Sequence, residues 1–336
     1  MNKKVAIFYG TRPEYLKLKN LIKLIPLKKR DVIFVGQHKE LIHDNYYTKK
    51  IYIKKSNNKN RLNSIISQIT GKIKFEKYDY VIVQGDTATT FGVALAAFNN
   101  NKKIIYVESG LRTLDLNNPF PEEGYRQMIS RISNIHFCPT DLSKQNLLKE
   151  KIKGKIIVSG NTSLDNLLDY KKRISYSDII LITLHRRENI SLIDNWFLEI
   201  DKLAKKYKDL KFVLPIHKNL EIKKHKKILS NVDVIENLPH KNFIKIFVKS
   251  KFIITDSGGI QEEATYLNKK VIVCRKFTER PEGLKSGHLF ICKHPKHLYS
   301  LFNKINMNYK INRKSPFGDG KASKKIIKFL SKNKIL

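Results

Sequence analysis

Three carboxylates in the first half of the sequence follow or open short elements: Asp86 after an apolar run and a Gly85 turn, Glu108 directly after the run 103–107, and Glu122 at the start of a helical pattern. A carboxylate held at a strand end or helix start can take or return a proton beside an activated carbon. The second half carries anion donors instead: His185, Arg186, Arg187, Ser257, Gly258 and Gly259. Around Ser257 an apolar run ends in Asp256-Ser-Gly-Gly259 and a helical pattern follows. That order reads as strand, tight turn and helix. Glycines admit a ligand to the backbone, and the helix start offers unpaired N–H groups to a phosphate. Glu263, one helical turn in, is placed for a ribose hydroxyl pair. By itself the motif reads equally well as an ordinary turn with a serine cap. Arg12 and Lys17 add positive charge from the first half. A sugar among the carboxylates, with its phosphates toward the basic residues, fits this polarity.

The elements that must position these groups alternate along the chain. Apolar runs at 5–9, 31–35, 80–83, 103–107, 136–139 and 156–158 read as strands, with helices from Pro13 to Ile25, over 62–75, over 90–98, from near Glu122, and after a cap at Asp141. Pro26 ends the first helix. A polar stretch, 171–178, reads as a linker. The alternation then resumes, with strands at 179–183, 212–214, 232–235, 251–255 and 271–273, a helix from about Lys241, and a last helix opened by Gly318-Asp-Gly320. Short continuous apolar strands joined by helices imply an α/β fold, with parallel sheets covered on both faces. Ligands on such sheets sit beyond the C-terminal strand ends, so Arg12, Gln37, Asp86 and Glu108 are expected along one edge. The boundaries that follow are an N-terminal domain over 1–172, completed by a C-terminal helix over 320–333, and a second domain over 178–318, the two facing a cleft.

The formal charge is +36, from 66 basic and 30 acidic residues. Such a charge suggests nucleic acid or an anionic surface. The lysines, however, run along the whole chain and accompany abundant Asn and Ile, which reads as compositional bias, so no nucleic-acid partner is inferred. Only 12 of the basic residues are Arg, and seven of them (Arg12, Arg112, Arg126, Arg186, Arg187, Arg275 and Arg280) fall in or beside the motifs, where a planar bidentate donor is needed. No apolar run approaches the ~20 residues of a bilayer span. The start has no cleavage-site pattern, and Cys138, Cys274 and Cys292 lack metal spacing, so a cytoplasmic protein with reduced thiols and no membrane insertion is expected. Neither a Gly-x-Gly-x-x-Gly after a strand nor a P-loop is present, which disfavours a nicotinamide, flavin or NTPase site.

Eight motifs occur in order: Gly10-Thr-Arg-Pro-Glu14, Gly85-Asp-Thr87, Glu108-Ser-Gly-Leu-Arg112, Pro119-Phe-Pro-Glu-Glu123 with Arg126, Gly160-Asn-Thr162, His185-Arg-Arg-Glu188, Asp256-Ser-Gly-Gly-Ile-Gln-Glu-Glu263 and Thr278-Glu-Arg-Pro-Glu282. In this the chain resembles the non-hydrolysing UDP-N-acetylglucosamine 2-epimerases over nearly its whole length. The resemblance implies two Rossmann-like domains in the glycosyltransferase-B arrangement, a homodimer and no cofactor. It also implies interconversion of UDP-N-acetylglucosamine and UDP-N-acetylmannosamine for cell-surface polysaccharide, by loss of UDP to a 2-acetamidoglucal and its re-addition.

Position by position, Asp86, Glu108 and Glu122 match acid/base carboxylates, and His185 matches a histidine near the diphosphate. Which carboxylate takes the proton stays open. Arg126 is expected to pair with a carboxylate and tune it. Arg12 and Lys17 are assigned to the substrate, Ser257, Gly258, Gly259 and Glu263 to diphosphate and ribose, and Phe243 to the uracil. Gln37, Arg186 and His217 match parts of a second, activating UDP-sugar site. The match there is incomplete, with Glu40 where glutamine is common and no evident arginine after Leu62. Leu184 replaces a common glycine and Ser109 a common alanine, and neither change removes a chemical group. The alternatives are a hydrolysing epimerase, which usually begins Gly-Ser-Arg-Ala-Glu, an epimerase for another UDP-acetamido sugar, and a glycosyltransferase of the same fold.

Overall fold

The computed structural model describes residues 4–36, 49–52, 61–216, 224–236, 238–308, 310–311 and 313–336. The chain divides into two compact units: Met1–Asn166 with Gly318–Leu336, and Leu167–Phe317.

Unit 1 is built on a seven-stranded sheet in the order β3-β2-β1-β4-β5-β6-β7, with every adjacent pair parallel. The strands are β1 (Val5–Tyr9), β2 (Arg30–Gly36), β3 (Lys49–Tyr52), β4 (Tyr80–Gln84), β5 (Lys103–Val107), β6 (Ile135–Cys138) and β7 (Lys155–Val158). Alternate side chains enter opposite cores. Ala6 and Phe8 of β1 join Val81, Val83, Val93 and Ala97 on one face. Val5, Ile7 and Tyr9 join Leu18, Ile82, Ile105, Ile326 and Leu330 on the other. Because both faces are covered, the strands read as unbroken apolar runs, not as an alternation.

Helices α1 (Arg12–Leu24), α2 (Arg61–Lys72), α3 (Ala88–Asn99), α4 (Glu122–Ile132) and α5 (Asp141–Lys149) cover the sheet. At α1 Thr11 and Glu14 form a reciprocal capping box, with Pro13 in the first turn. Two expectations need correction. The cap of α5 is Thr140, whose hydroxyl accepts from Ser143 N, and Asp141 sits in the first turn, where its charge favours the helix dipole. The helix expected to reach Phe75 ends at Lys72, beyond the poor helix former Gly71, and Phe75 turns into the core against Phe8.

Unit 2 has a six-stranded parallel sheet in the order β10-β9-β8-β11-β12-β13. Its strands are β8 (Ile179–Thr183), β9 (Lys211–Ile216), β10 (Asp233–Glu236), β11 (Phe252–Thr255), β12 (Val271–Val273) and β13 (Leu289–Ile291). Trp196 and Phe197 of α6 (Ile193–Lys206) centre its core. Four more helices follow: α7 (His240–Lys249), α8 (Gly258–Tyr266), α9 (Pro281–Lys285) and α10 (Leu298–Met307). The stretch 171–178 is tied into unit 2. Ser177 N donates to Lys249 O at 2.8 Å, Tyr176 Oη to Asn268 O at 3.0 Å, and the buried Lys269 ammonium to Ser250 O at 2.6 Å and to Ser175 O. The last helix, α11 (Ala322–Lys332), returns to unit 1, where Ile326 and Leu330 share a core with Leu18 and Leu21 of α1.

Candidate active site

In unit 1 the strand ends assemble a carboxylate cluster. Glu108, first residue after β5, is largely buried, and its φ of +67° is a left-handed conformation that non-glycine residues rarely hold. A backbone cost of this kind persists only where the surroundings fix it, and here three side chains do. Lys17 Nζ reaches both Glu108 oxygens at 2.6 and 2.7 Å, Gln84 Nε2 donates to Oε2, and Asn161 Nδ2 stands 3.4 Å from Oε1. Asp86, beyond the β4 end, accepts from Arg126 Nη1 at 2.8 Å and keeps a third of its side chain exposed. Arg126 is itself buried and anchored by the fully buried Glu123 through Nε and Nη2, at 3.0 and 2.6 Å. Burial would raise the Glu123 carboxyl, but Gln127 and Arg126 outweigh it and hold the group below its usual range. Glu122, one residue earlier, has a buried Oε2 without a hydrogen-bond partner among the described residues.

Glu14 supports the cluster from below. It accepts from Gly10 N and Thr87 Oγ1 at 2.5 Å each and from Thr11 N at 3.2 Å, tying the β1–α1 turn to the residue after Asp86. Burial pushes its carboxyl up despite those donors. Arg12 is exposed at the start of α1.

In unit 2 the turn after β11 leads directly into α8. Ser257 precedes α8 but supplies no side-chain cap, so the first N–H groups of the helix stay open to a ligand. A Cβ on Gly258 would stand 2.7–3.0 Å from the Arg280 guanidinium, whereas one on Gly259 would meet nothing within 4 Å. Arg280 is held by Glu262 at 2.6 Å and by Glu279 at 3.3 Å, and Arg275 by Glu188 at 2.6 Å and Glu279 at 2.7 Å. Burial would raise Glu279, yet Arg280, Arg275 and Arg186 together hold it well below the usual carboxylate range. Burial and its arginine neighbours lower Arg186. Buried Asp256 collects the amides of His185 and Arg186, and its Oδ1 lies 3.7 Å from His185 Nδ1.

The geometry thus joins Lys17, Asp86, Glu108 and Arg126 in one group, with Glu122 on the helix that carries Arg126, and His185, Arg186, Ser257 and Gly258 in another. Glu263 is half-buried on α8, and Phe243 is half-buried on α7, its ring 5.8 Å from that of Phe247. Gln37 and His217 lie outside the described residues. Glu14, Gln84, Asn161 and Asp256 hold these groups in place but were not singled out from sequence, although each lies in or beside one of the eight motifs, and Arg280, one of the seven motif arginines, braces the Gly258 turn with them.

Fold and side chains define a class: a two-domain α/β enzyme, doubly wound in both units, with carboxylates at the strand ends of one unit and arginines about a glycine-led helix start in the other. The family model for UDP-N-acetylglucosamine 2-epimerase matches residues 30–331. UDP-N-acetylglucosamine 2-epimerases of Neisseria meningitidis and Salmonella borreze are 37% and 36% identical, covering 98% and 97% of this chain and 100% and 97% of their own. A crystal structure of the Neisseria meningitidis enzyme bound to UDP-GlcNAc superposes with a TM-score of 0.88 at 36% identity, over 98% of this chain and 100% of that one. A teichoic acid polymerase, TagF, at 14% identity and a TM-score of 0.60, shares the fold alone. The chain belongs to the UDP-N-acetylglucosamine 2-epimerase family, whose members are isomerases, as its eight motifs led us to expect.

Proposed function

We propose that this protein interconverts UDP-N-acetylglucosamine and UDP-N-acetylmannosamine without net hydrolysis. The observation that carries the reading is the group of strand-end carboxylates, each bound by its own cation, in a chain of this family. The C2 proton of the sugar is weakly acidic, so the C1–O bond to UDP must break as the proton leaves. One carboxylate among Asp86, Glu108 and Glu122 accepts the proton, the C2–H electron pair forms the C1=C2 bond of 2-acetamidoglucal, and UDP departs with the C1–O electrons. UDP oxygen then attacks C1 and a proton returns to C2 from the opposite face. Lys17 and Arg126 hold Glu108 and Asp86 oriented for the exchange. In unit 2, Ser257, Gly258 and Gly259 receive the diphosphate with His185, Glu263 takes the ribose and Phe243 the uracil. Arg12 assists on the substrate side, Gln37 and His217 belong to the second, activating UDP-sugar site, and Arg186, which matches that site too, stands beside His185 at the diphosphate. By the same resemblance the protein is a cytoplasmic homodimer. Among the described residues no helix is long and apolar enough to cross a membrane.

The test is UDP-N-acetylglucosamine in deuterated water followed by proton NMR. A pool of UDP-N-acetylmannosamine carrying deuterium at C2 is expected. Free N-acetylmannosamine accumulating one-for-one with UDP would instead establish the hydrolysing reaction. No turnover would point to another UDP-acetamido sugar.

A further inference from the structure

Asp256 stands at an unusual place for a negative charge. It is fully buried, adjoins Ser257 and Gly258, and lies under residues assigned to an anionic diphosphate. Burying a carboxylate is costly unless donors converge on it. Oδ2 accepts from His185 N at 3.0 Å, Arg186 N at 2.9 Å and Asn189 Nδ2 at 3.0 Å. Oδ1 lies 3.2 Å from His185 N and 3.7 Å from His185 Nδ1. Asn189 also donates to Cys274 O at 3.0 Å, and Asp256 N donates to Thr183 O at 3.2 Å. Next to it the Thr183 and Thr255 hydroxyls meet at 2.5 Å, and Thr255 Oγ1 accepts from Ser257 N at 2.9 Å. The ends of β8 and β11 are therefore laced together through one carboxylate. One end carries the His185–Arg186 loop and the other the start of α8.

We propose that Asp256 is a positioning residue: it fixes His185 and Arg186 against the α8 N-terminus, so that the loop and the helix grip a UDP diphosphate as one surface. The inference rests on the reading of unit 2 as the UDP seat. Asp256 does not touch the ligand. It acts by removing the freedom of a loop that would otherwise have to be ordered at binding, and such ordering costs affinity. Backbone amides of two consecutive residues turned toward one acceptor fix both their φ/ψ angles, and hence the directions of both side chains.

The test is a double-mutant cycle read by calorimetric titration of the full-length protein with UDP, which needs no turnover. Asp256→Ala is expected to weaken UDP about tenfold in the wild-type background, and less than about twofold when His185→Ala and Arg186→Ala are already present, because groups that act through one another are not additive. Asp256→Asn is expected to stay within about threefold of wild type, its amide oxygen taking the place of Oδ2 for all three donors. Should Asp256→Ala not fold, Asn189→Ala keeps the carboxylate and removes one donor, and its smaller loss should also vanish without His185 and Arg186. Equal losses in both backgrounds would make Asp256 a structural residue only and overturn the proposal. Wild-type protein that does not bind UDP would overturn it as well. Binding of UDP without epimerisation would instead reject the proposed reaction and leave the cycle to decide on Asp256.

Discussion

Arg126 links fold and reaction, and the two roles can be separated. Its guanidinium reaches Glu123 with two bonds on one side and Asp86 with one on the other. Arg126→Gln breaks a buried pair, which ordinarily costs about 3–5 kcal/mol because the other charge is stranded. Glu123 is not left bare: Thr113 N at 3.0 Å, Leu114 N at 3.3 Å and Gln127 Nε2 at 2.9 Å still donate to it. The loss should therefore fall at the lower end, about 3 kcal/mol, or roughly 6–12 °C in melting temperature for a unit of this size. The Asp86 side chain is 33% exposed, so solvent screens its bond to Arg126. About 1.5 kcal/mol, or tenfold in kcat/KM, is the expected catalytic share. Glu123→Gln with Arg126→Gln replaces the ion pair by two neutral amides that can bond each other. This double variant should recover most of the melting temperature and none of the rate. The assays are calorimetric melting and the deuterium-exchange NMR rate. A rate that returns together with the melting temperature would show that Arg126 supports Asp86 only by keeping the unit folded, and would refute its role in holding Asp86 ready.

Further outcomes can be checked on the same material. Asp86→Asn should lower turnover about 10²–10⁴-fold, the usual share of general acid–base catalysis, with UDP affinity unchanged by titration; near-normal turnover removes Asp86 from the chemistry. Gly258→Ala should lower the melting temperature by the equivalent of about 1–3 kcal/mol, because the added methyl meets an Arg280 guanidinium that Glu262 and Glu279 hold still, whereas Gly259→Ala should fold with wild-type stability. Equal melting of the two variants would contradict that packing. Lys269 gives a pH dependence: burial pushes its ammonium down to about 7 from the ordinary 10.5. Between those values the unfolded chain binds more protons than the native one, so stability rises with pH across the window. Wild type should gain about 2 kcal/mol from pH 7.5 to 9 relative to Lys269→Met, seen as diverging denaturation midpoints; parallel curves would exclude it.

The sheets were legible because parallel strands covered on both faces leave unbroken apolar runs between turn residues. β5 and β8 fall where the runs do. The elements missed lack that signal. β3 offers only Ile51 and Tyr52 as apolar residues, and β13 is three residues whose place comes from pairing with β12. Asp86 and Glu108 stood out because charge at the end of an apolar run is conspicuous, and Glu122 because it opens a helical pattern after a proline-rich turn. Lys17 and Arg126, which hold two of them, were named as well, but the residues that brace the cluster from neighbouring strands and turns were not. Gln84 looks like the fading end of a strand, and Glu14 like a helix-capping residue, which it also is. Their reach to Glu108 and Thr87 depends on strands β1, β4 and β5 lying side by side, a fact of tertiary pairing with no local spacing to announce it.

The return of α11 to unit 1 has a consequence for how the protein is made. The core that Leu18 and Leu21 of α1 join also takes in Ile326, Leu330 and Ile335, which are translated after the whole of unit 2. At about 5–20 residues per second, the roughly 150 residues between keep the ribosome occupied for about 8–30 s. Throughout that interval the nascent N-terminal sheet carries an uncovered apolar strip, while unit 2, continuous in sequence, can close as soon as it emerges. The order of synthesis and the order of completion are therefore reversed: the unit begun first is finished last. A chain arrested before residue 322 should engage holding chaperones through that strip.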